Sequence, residues 1–164
     1  MKVVLVRHGI AIDHADPKCP ADELRALTKR GHKRTRAAME GLEALGVEPD
    51  LILTSPLVRA VETAVIAAQA LDCPDLRETY ALRGGGDTTA VFELLAGLSV
   101  DTVMLVGHAP HLDILLRQSI ADFSAPIGRM KKASAACVAF DEVGPKRGEL
   151  VFFHQPRTLR ELGA

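Results

Sequence analysis

The run Val3-Val4-Leu5-Val6 is short, β-branched and continuously apolar, the pattern of a strand covered on both faces. Leu51-Ile52-Leu53 and Val103 to Val106 repeat it. Between these runs the apolar spacing turns helical. Thr35, Ala38, Leu42 and Leu45 predict one helix, opened by Thr28 as N-cap and stopped by Gly46. Ser55-Pro56 predicts a second, with Ser55 as the cap and proline at the first helical position. Its apolar face is Leu57, Val61, Ala64, Val65, Ala68 and Leu71. Val91, Leu94, Leu95 and Leu98 predict a short helix capped by Thr88 or Thr89, and Leu112, Leu115, Leu116, Ser119 and Ile120 a further one. Residues 10–27 lack a period and predict a loop over one face. Gly84-Gly85-Gly86-Asp87 predicts a turn. Ala135 to Phe140 and Leu150 to Phe153 predict a terminal strand pair joined across Asp141 to Glu149. Strands alternating with helices predict an α/β fold, a three-layer α/β/α sandwich with a mostly parallel central sheet, as one domain over residues 1–164.

Composition narrows the partners. The chain has 164 residues and a formal net charge of −1, which gives no global signature for nucleic acid or a membrane surface. Cys19, Cys73 and Cys137 are odd in number and far apart, so neither a zinc site nor a disulfide framework is expected. The first apolar run is short and broken at Arg7-His8, unlike a signal peptide, and a cytoplasmic protein with reduced thiols is expected.

The chemistry lies where strands end. Arg7-His8-Gly9 follows the first strand, Ser55-Pro56-Leu57-Val58-Arg59 the second and Gly107-His108 the third. Ligands of open α/β sheets bind beyond the carboxyl ends of the strands, so these residues are expected on one edge. Guanidinium forks match phosphate oxygens, and Arg59 falls in the first turn of its helix, where free N–H groups also favour an anion. Two arginines and two imidazoles predict a phosphoryl site without a metal or other cofactor. There is no Gly-Lys-Ser/Thr phosphate loop.

Leu5-Val6-Arg7-His8-Gly9, Leu27-Thr28-Lys29-Arg30-Gly31, Ser55 to Thr63 and Val106-Gly107-His108 resemble, in order, the motifs of the histidine phosphatase superfamily and its phosphoglycerate mutase-like fold. The short length and the Leu-Thr-x-x-Gly segment are most similar to SixA-type phosphohistidine phosphatases. The resemblance implies His8 as a nucleophile that carries the phosphoryl group, with Arg7, Arg59 and His108 on its oxygens. Arg25, before Leu-Thr, is implied as a further substrate-binding residue. Glu78 ranks first among candidates for a general acid, although the SixA pattern lacks a clear equivalent. The implied substrate is a phosphorylated protein carrying phosphohistidine. The alternatives are a small phosphate ester, such as a sugar phosphate, or a phosphate-reading module without turnover. Lys29, Arg30, Lys33, Arg34 and Arg36 read first as a solvated helix face, and second as a patch steering an acidic partner. His111, close in sequence to His108, is expected to point away from the site, and His14, His32 and His154 are read as surface or packing residues.

Overall fold

The computed structural model describes residues 1–164 except Gly86, Asp122, Phe123 and Ala125. Six strands form one sheet: β1 (Lys2–Arg7), β2 (Leu51–Thr54), β3 (Leu76–Glu78), β4 (Thr102–Gly107), β5 (Ala135–Phe140) and β6 (Gly148–His154). Their order is β3-β2-β4-β1-β5-β6. β3, β2, β4 and β1 run parallel, with Val4 opposite Met104 and Ile52 opposite Met104 on the other side. β5 and β6 are antiparallel, the terminal pair that the sequence predicts.

Side-chain alternation divides the core into two halves. Val4, Val6, Ile52, Met104 and Val106 face α1 (Lys29–Ala44), α2 (Val58–Ala70) and α5 (Pro156–Leu162). Val3, Leu5, Leu53, Val103 and Leu105 face α3 (Thr89–Ala96) and α4 (His111–Ile120). Both faces are therefore covered, and the sandwich has three layers. Leu115 and Leu116 are buried at 1 % exposure each, and truncating either to alanine would cost about 2–5 kcal/mol.

Several local expectations need correction. Ser55 is not a helix cap: α2 starts at Val58 with Leu57 in the cap position, and the Ser55 side chain turns inward. Val65 and Leu45 are exposed, and Ile66 packs in the core instead. α3 ends at Ala96 rather than Leu98. Thr88 holds the N-cap position of α3 but makes no side-chain capping bond, and Asp87 Oδ1 accepts the Thr89 N–H instead. Gly84 and Gly85 have φ of +100° and +122°, as a turn requires, while Gly86 lies outside the described residues.

One strand and one α-helix arise where the sequence pattern predicts neither. β3 is three residues long, at the sheet edge, with Arg77 and Glu78 exposed. α5 buries Leu159 and lies against α1. The approach is so close that a Cβ on Gly41 would lie 1.9 Å from the Leu159 carbonyl oxygen. Gly41 is thus the residue that lets α5 dock, and Gly41→Ala would push the two helices apart.

Candidate active site

Arg7, His8, Ser55, Arg59 and His108 all lie at or just beyond the carboxyl ends of β1, β2 and β4. Val6 pairs with Val106 and Thr54 with Val106, so three strand ends stand side by side. The His8 and His108 ring centroids are 5.1 Å apart, with the planes tilted by 53°.

Two motifs hold the His8 loop in place. The Ile10 carbonyl accepts the Thr28 N–H at 2.9 Å and the Thr28 hydroxyl at 3.3 Å. The Thr28 hydroxyl in turn accepts the Gly31 N–H at 3.0 Å as the N-cap of α1. A Cβ at Gly31 would lie 2.0 Å from the Ile10 oxygen. Leu-Thr-x-x-Gly is thereby a clamp on the chain that leaves His8. The second clamp is Thr63, whose hydroxyl accepts the Gly9 N–H at 3.0 Å and donates to the Arg59 carbonyl at 2.7 Å. Glu62 Oε2 accepts the Leu27 N–H at 2.6 Å, so it ties the loop to α2 and does not pair with Arg59.

His8 Nδ1 is 2.7 Å from the Gly9 carbonyl oxygen. A carbonyl only accepts, so Nδ1 carries the proton and Nε2 keeps its lone pair. Burial, opposed by that hydrogen bond and reinforced by His108, Arg59 and Arg7, pushes the His8 pKa down to about 3. His108 is lowered to about 4, by burial first and then by Arg59, with Asp22 acting in the opposite direction. Both rings are therefore neutral near pH 7. His108 Nε2 lies 2.7 Å from Ser55 Oγ. If the Ser55 hydroxyl donates to Nε2, the proton sits on Nδ1, which is buried without a partner among the described residues.

Arg7 is anchored at one guanidinium nitrogen and Arg59 at two, and the Nε of each has no partner among the described residues. Arg7 NH1 donates to the Met130 carbonyl at 2.8 Å, and Arg7 Nε is buried without a partner among the described residues. Burial lowers the Arg7 pKa, and the charge of Asp113 opposes this. Asp113 is itself buried and accepts the Met130 N–H at 2.8 Å. Arg59 NH1 donates to the Asp22 carbonyl at 2.7 Å and NH2 to Asp22 Oδ2 at 3.2 Å, again leaving Nε unpaired. Arg25 donates from Nε to Asp22 Oδ1 at 3.0 Å and from NH1 to the Ile12 carbonyl at 2.7 Å. Burial disfavours the Asp22 charge, but Arg25 and Arg59 together hold its pKa below the usual carboxylate range.

Asp22 and Asp113 are thus site residues that sequence reasoning missed. Asp22 stood three residues before Arg25, a spacing that could have signalled the pair. Glu78 lies at the same sheet edge, paired in register with Thr54, and is exposed. His111 is buried, with Nε2 3.2 Å from the Asp87 oxygen. His14 and His32 are exposed beside Asp22 and Glu62, and His154 stacks on Phe152. Among the described residues no cluster of three His, Cys, Asp or Glu could hold a metal ion, and no helix is long and apolar enough to cross a membrane.

Comparison with known proteins converges on one family. Phosphohistidine phosphatase SixA of Escherichia coli is 28 % identical over 149 residues, 88 % of each chain. An uncharacterised protein of Picosynechococcus is 39 % identical over 115 residues, 68 % of each chain. The solved structure of the protein histidine phosphatase SixA complexed with tungstate superposes with a TM-score of 0.85 at 25 % identity, covering 97 % of this chain and 99 % of that one. The family model of the histidine phosphatase superfamily (branch 1) matches residues 3–84, half of the chain. With the sheet edge and its two imidazoles, this match makes the chain a phosphatase that belongs to the histidine phosphatase superfamily.

Proposed function

We propose that the chain, as one domain over residues 1–164 acting in the cytoplasm, removes the phosphoryl group from protein phosphohistidine through a phosphohistidine intermediate on His8. The observation that carries the reading is the His8 ring: Nδ1 is committed to the Gly9 carbonyl, and burial keeps Nε2 unprotonated. Nε2 attacks phosphorus in line, a new P–N bond forms, and the bond to the leaving imidazole breaks. The leaving ring takes up a proton from solvent. Water then attacks the phosphoryl group on His8, releasing inorganic phosphate and regenerating neutral His8.

Arg7, Arg59 and His108 bind the phosphoryl oxygens in this reading. With the Ser55 hydroxyl donating to His108 Nε2, the unpaired Arg7 Nε, Arg59 Nε and His108 Nδ1 are donors already removed from water. Preset donors of this kind lower the barrier because they need little reorganisation as charge develops. A bound dianion would also raise the His108 pKa and favour its charged form. Arg25 contributes through Asp22, which it holds against Arg59.

The general acid matters less for an imidazole leaving group than for an alkoxide. Glu78, exposed at the end of β3, remains the candidate for substrates that need one. The test compares rates on a phosphohistidine protein with a panel of metabolite phosphates. The protein is expected to be turned over with the higher kcat/KM, and His8→Ala to abolish both. Faster turnover of a sugar phosphate than of any phosphohistidine substrate would replace this reading by a small-molecule phosphomonoesterase.

A further inference from the structure

Beside the candidate active site runs a cleft of ≈ 430 Å³ between α1, residues 131–133 and α5. It is lined by Arg7, Arg34, Lys131, Lys132, Arg157 and Arg160, together with neutral groups and no carboxylate. Arg7 lines the cleft and also stands at the strand edge with His8, so the two adjoin at that residue. These cations come from four stretches of chain, and only folding brings them together.

Their charge is poorly compensated. Arg157 pairs with Glu161 at 2.8 Å. Arg34, Lys131, Lys132 and Arg160 have no ion pair among the described residues. Partial burial, and then the charges of Arg30 and Arg160, lower the Arg34 pKa, as expected where cations crowd. The cleft wall is fixed rather than loose. Gln155 donates from Nε2 to the Arg129 carbonyl at 3.0 Å and accepts the Lys131 N–H at 3.4 Å, and Arg7 holds the Met130 carbonyl. Charge is segregated across the molecule, because a second cleft beside the amino end of β2 is lined by Glu43, Glu48, Asp50 and Asp72 and no cation. A chain of net charge −1 therefore presents a strongly basic surface at its phosphoryl site.

We propose that this cleft is the docking surface for an acidic flank of the protein that presents its phosphohistidine to His8. The assignment rests on the protein-phosphohistidine reading above. Lys131, Lys132 and Arg157 are exposed, and Arg34 and Arg160 half-buried. Spread, hydrated cations suit several carboxylates distributed over a surface. A single small phosphate would instead call for enclosed, desolvated forks such as those around His8.

The test uses two phosphohistidine peptides, one flanked by glutamates and one by glutamines, with p-nitrophenyl phosphate as a substrate too small to reach the cleft. At low salt the parent enzyme is expected to favour the glutamate peptide by about ten-fold in kcat/KM, an advantage lost as salt rises. Lys131→Glu/Lys132→Glu is expected to erase the preference and leave p-nitrophenyl phosphate turnover unchanged. The neutral Lys131→Gln/Lys132→Gln variant should fall between the two. Equal rates on both peptides in the parent, or a preference that survives charge reversal, would overturn the docking assignment alone. If the parent hydrolyses p-nitrophenyl phosphate but neither peptide, the protein-substrate reading falls and the docking surface falls with it.

Discussion

The two ends of the parallel strands solve the same problem in opposite ways. At the amino end, the Asp50 carboxylate accepts the Asp101 N–H at 3.1 Å and the Thr102 N–H at 2.8 Å, closing off the start of β4. At the carboxyl end, Arg7 Nε, Arg59 Nε, His108 Nδ1, His111 Nδ1, Thr35 Oγ1 and Ser134 Oγ are buried with no partner. Every unpaired buried side-chain atom found among the described residues belongs to this end. A buried polar group without a partner costs about 1–3 kcal/mol, so one end is built for stability and the other gives up stability to hold donors ready.

The sharpest way to break that contrast is His8→Ala. Turnover should fall by about 10⁴-fold or more, since the nucleophile proposed above has no substitute, while the fold stays intact by circular dichroism. Arg59→Ala should cost about 10²–10³-fold, the usual effect of deleting one preset donor to developing charge. Arg59→Lys should recover little, because an ammonium cannot reproduce both the anchor on Asp22 and the free Nε. Asp50→Ala should do the reverse, lowering stability by about 1 kcal/mol in urea titrations with kcat/KM unchanged.

The depressed histidines give the contrast a pH signature. His8 and His108 titrate at about 3 and about 4 in the folded chain, against 6.5 for an ordinary imidazole. Between those values the unfolded chain binds more protons, so stability rises with pH. The full contribution is present above 6.5, drains away as pH falls below that value, and is gone once pH has passed about 4 for His108 and about 3 for His8. His8→Ala should therefore lose less stability than the parent between pH 7 and pH 4, measured as urea midpoints. The smallest expected effect is that of Glu78→Gln, which should leave phosphohistidine turnover within about two-fold and slow alkyl phosphate esters more.

What the amino-acid order reveals follows the range of the forces involved. The strands β1, β2 and β4 are legible because burial on both faces leaves an unbroken apolar run. The convergence of His8, Arg59 and His108 is legible because strand-end position alone decides it. β3 is hidden because Leu76-Arg77-Glu78 owes its conformation to pairing with β2, not to its own pattern. α5 is hidden because its single buried residue, Leu159, is recognised only against Gly41. Ser55 followed by proline looks like a helix start, yet its buried hydroxyl serves His108. Asp22 on Arg59 joins residues 37 apart in sequence, and no periodicity encodes that distance.

The most direct test of the account is to quench the enzyme during turnover and map the phosphoryl group. Mass spectrometry of the digested protein should find an acid-labile, alkali-stable phosphoramidate on the peptide that contains His8, absent from His8→Ala. A phosphoryl group on any other residue, or undiminished turnover by His8→Ala, would contradict the account.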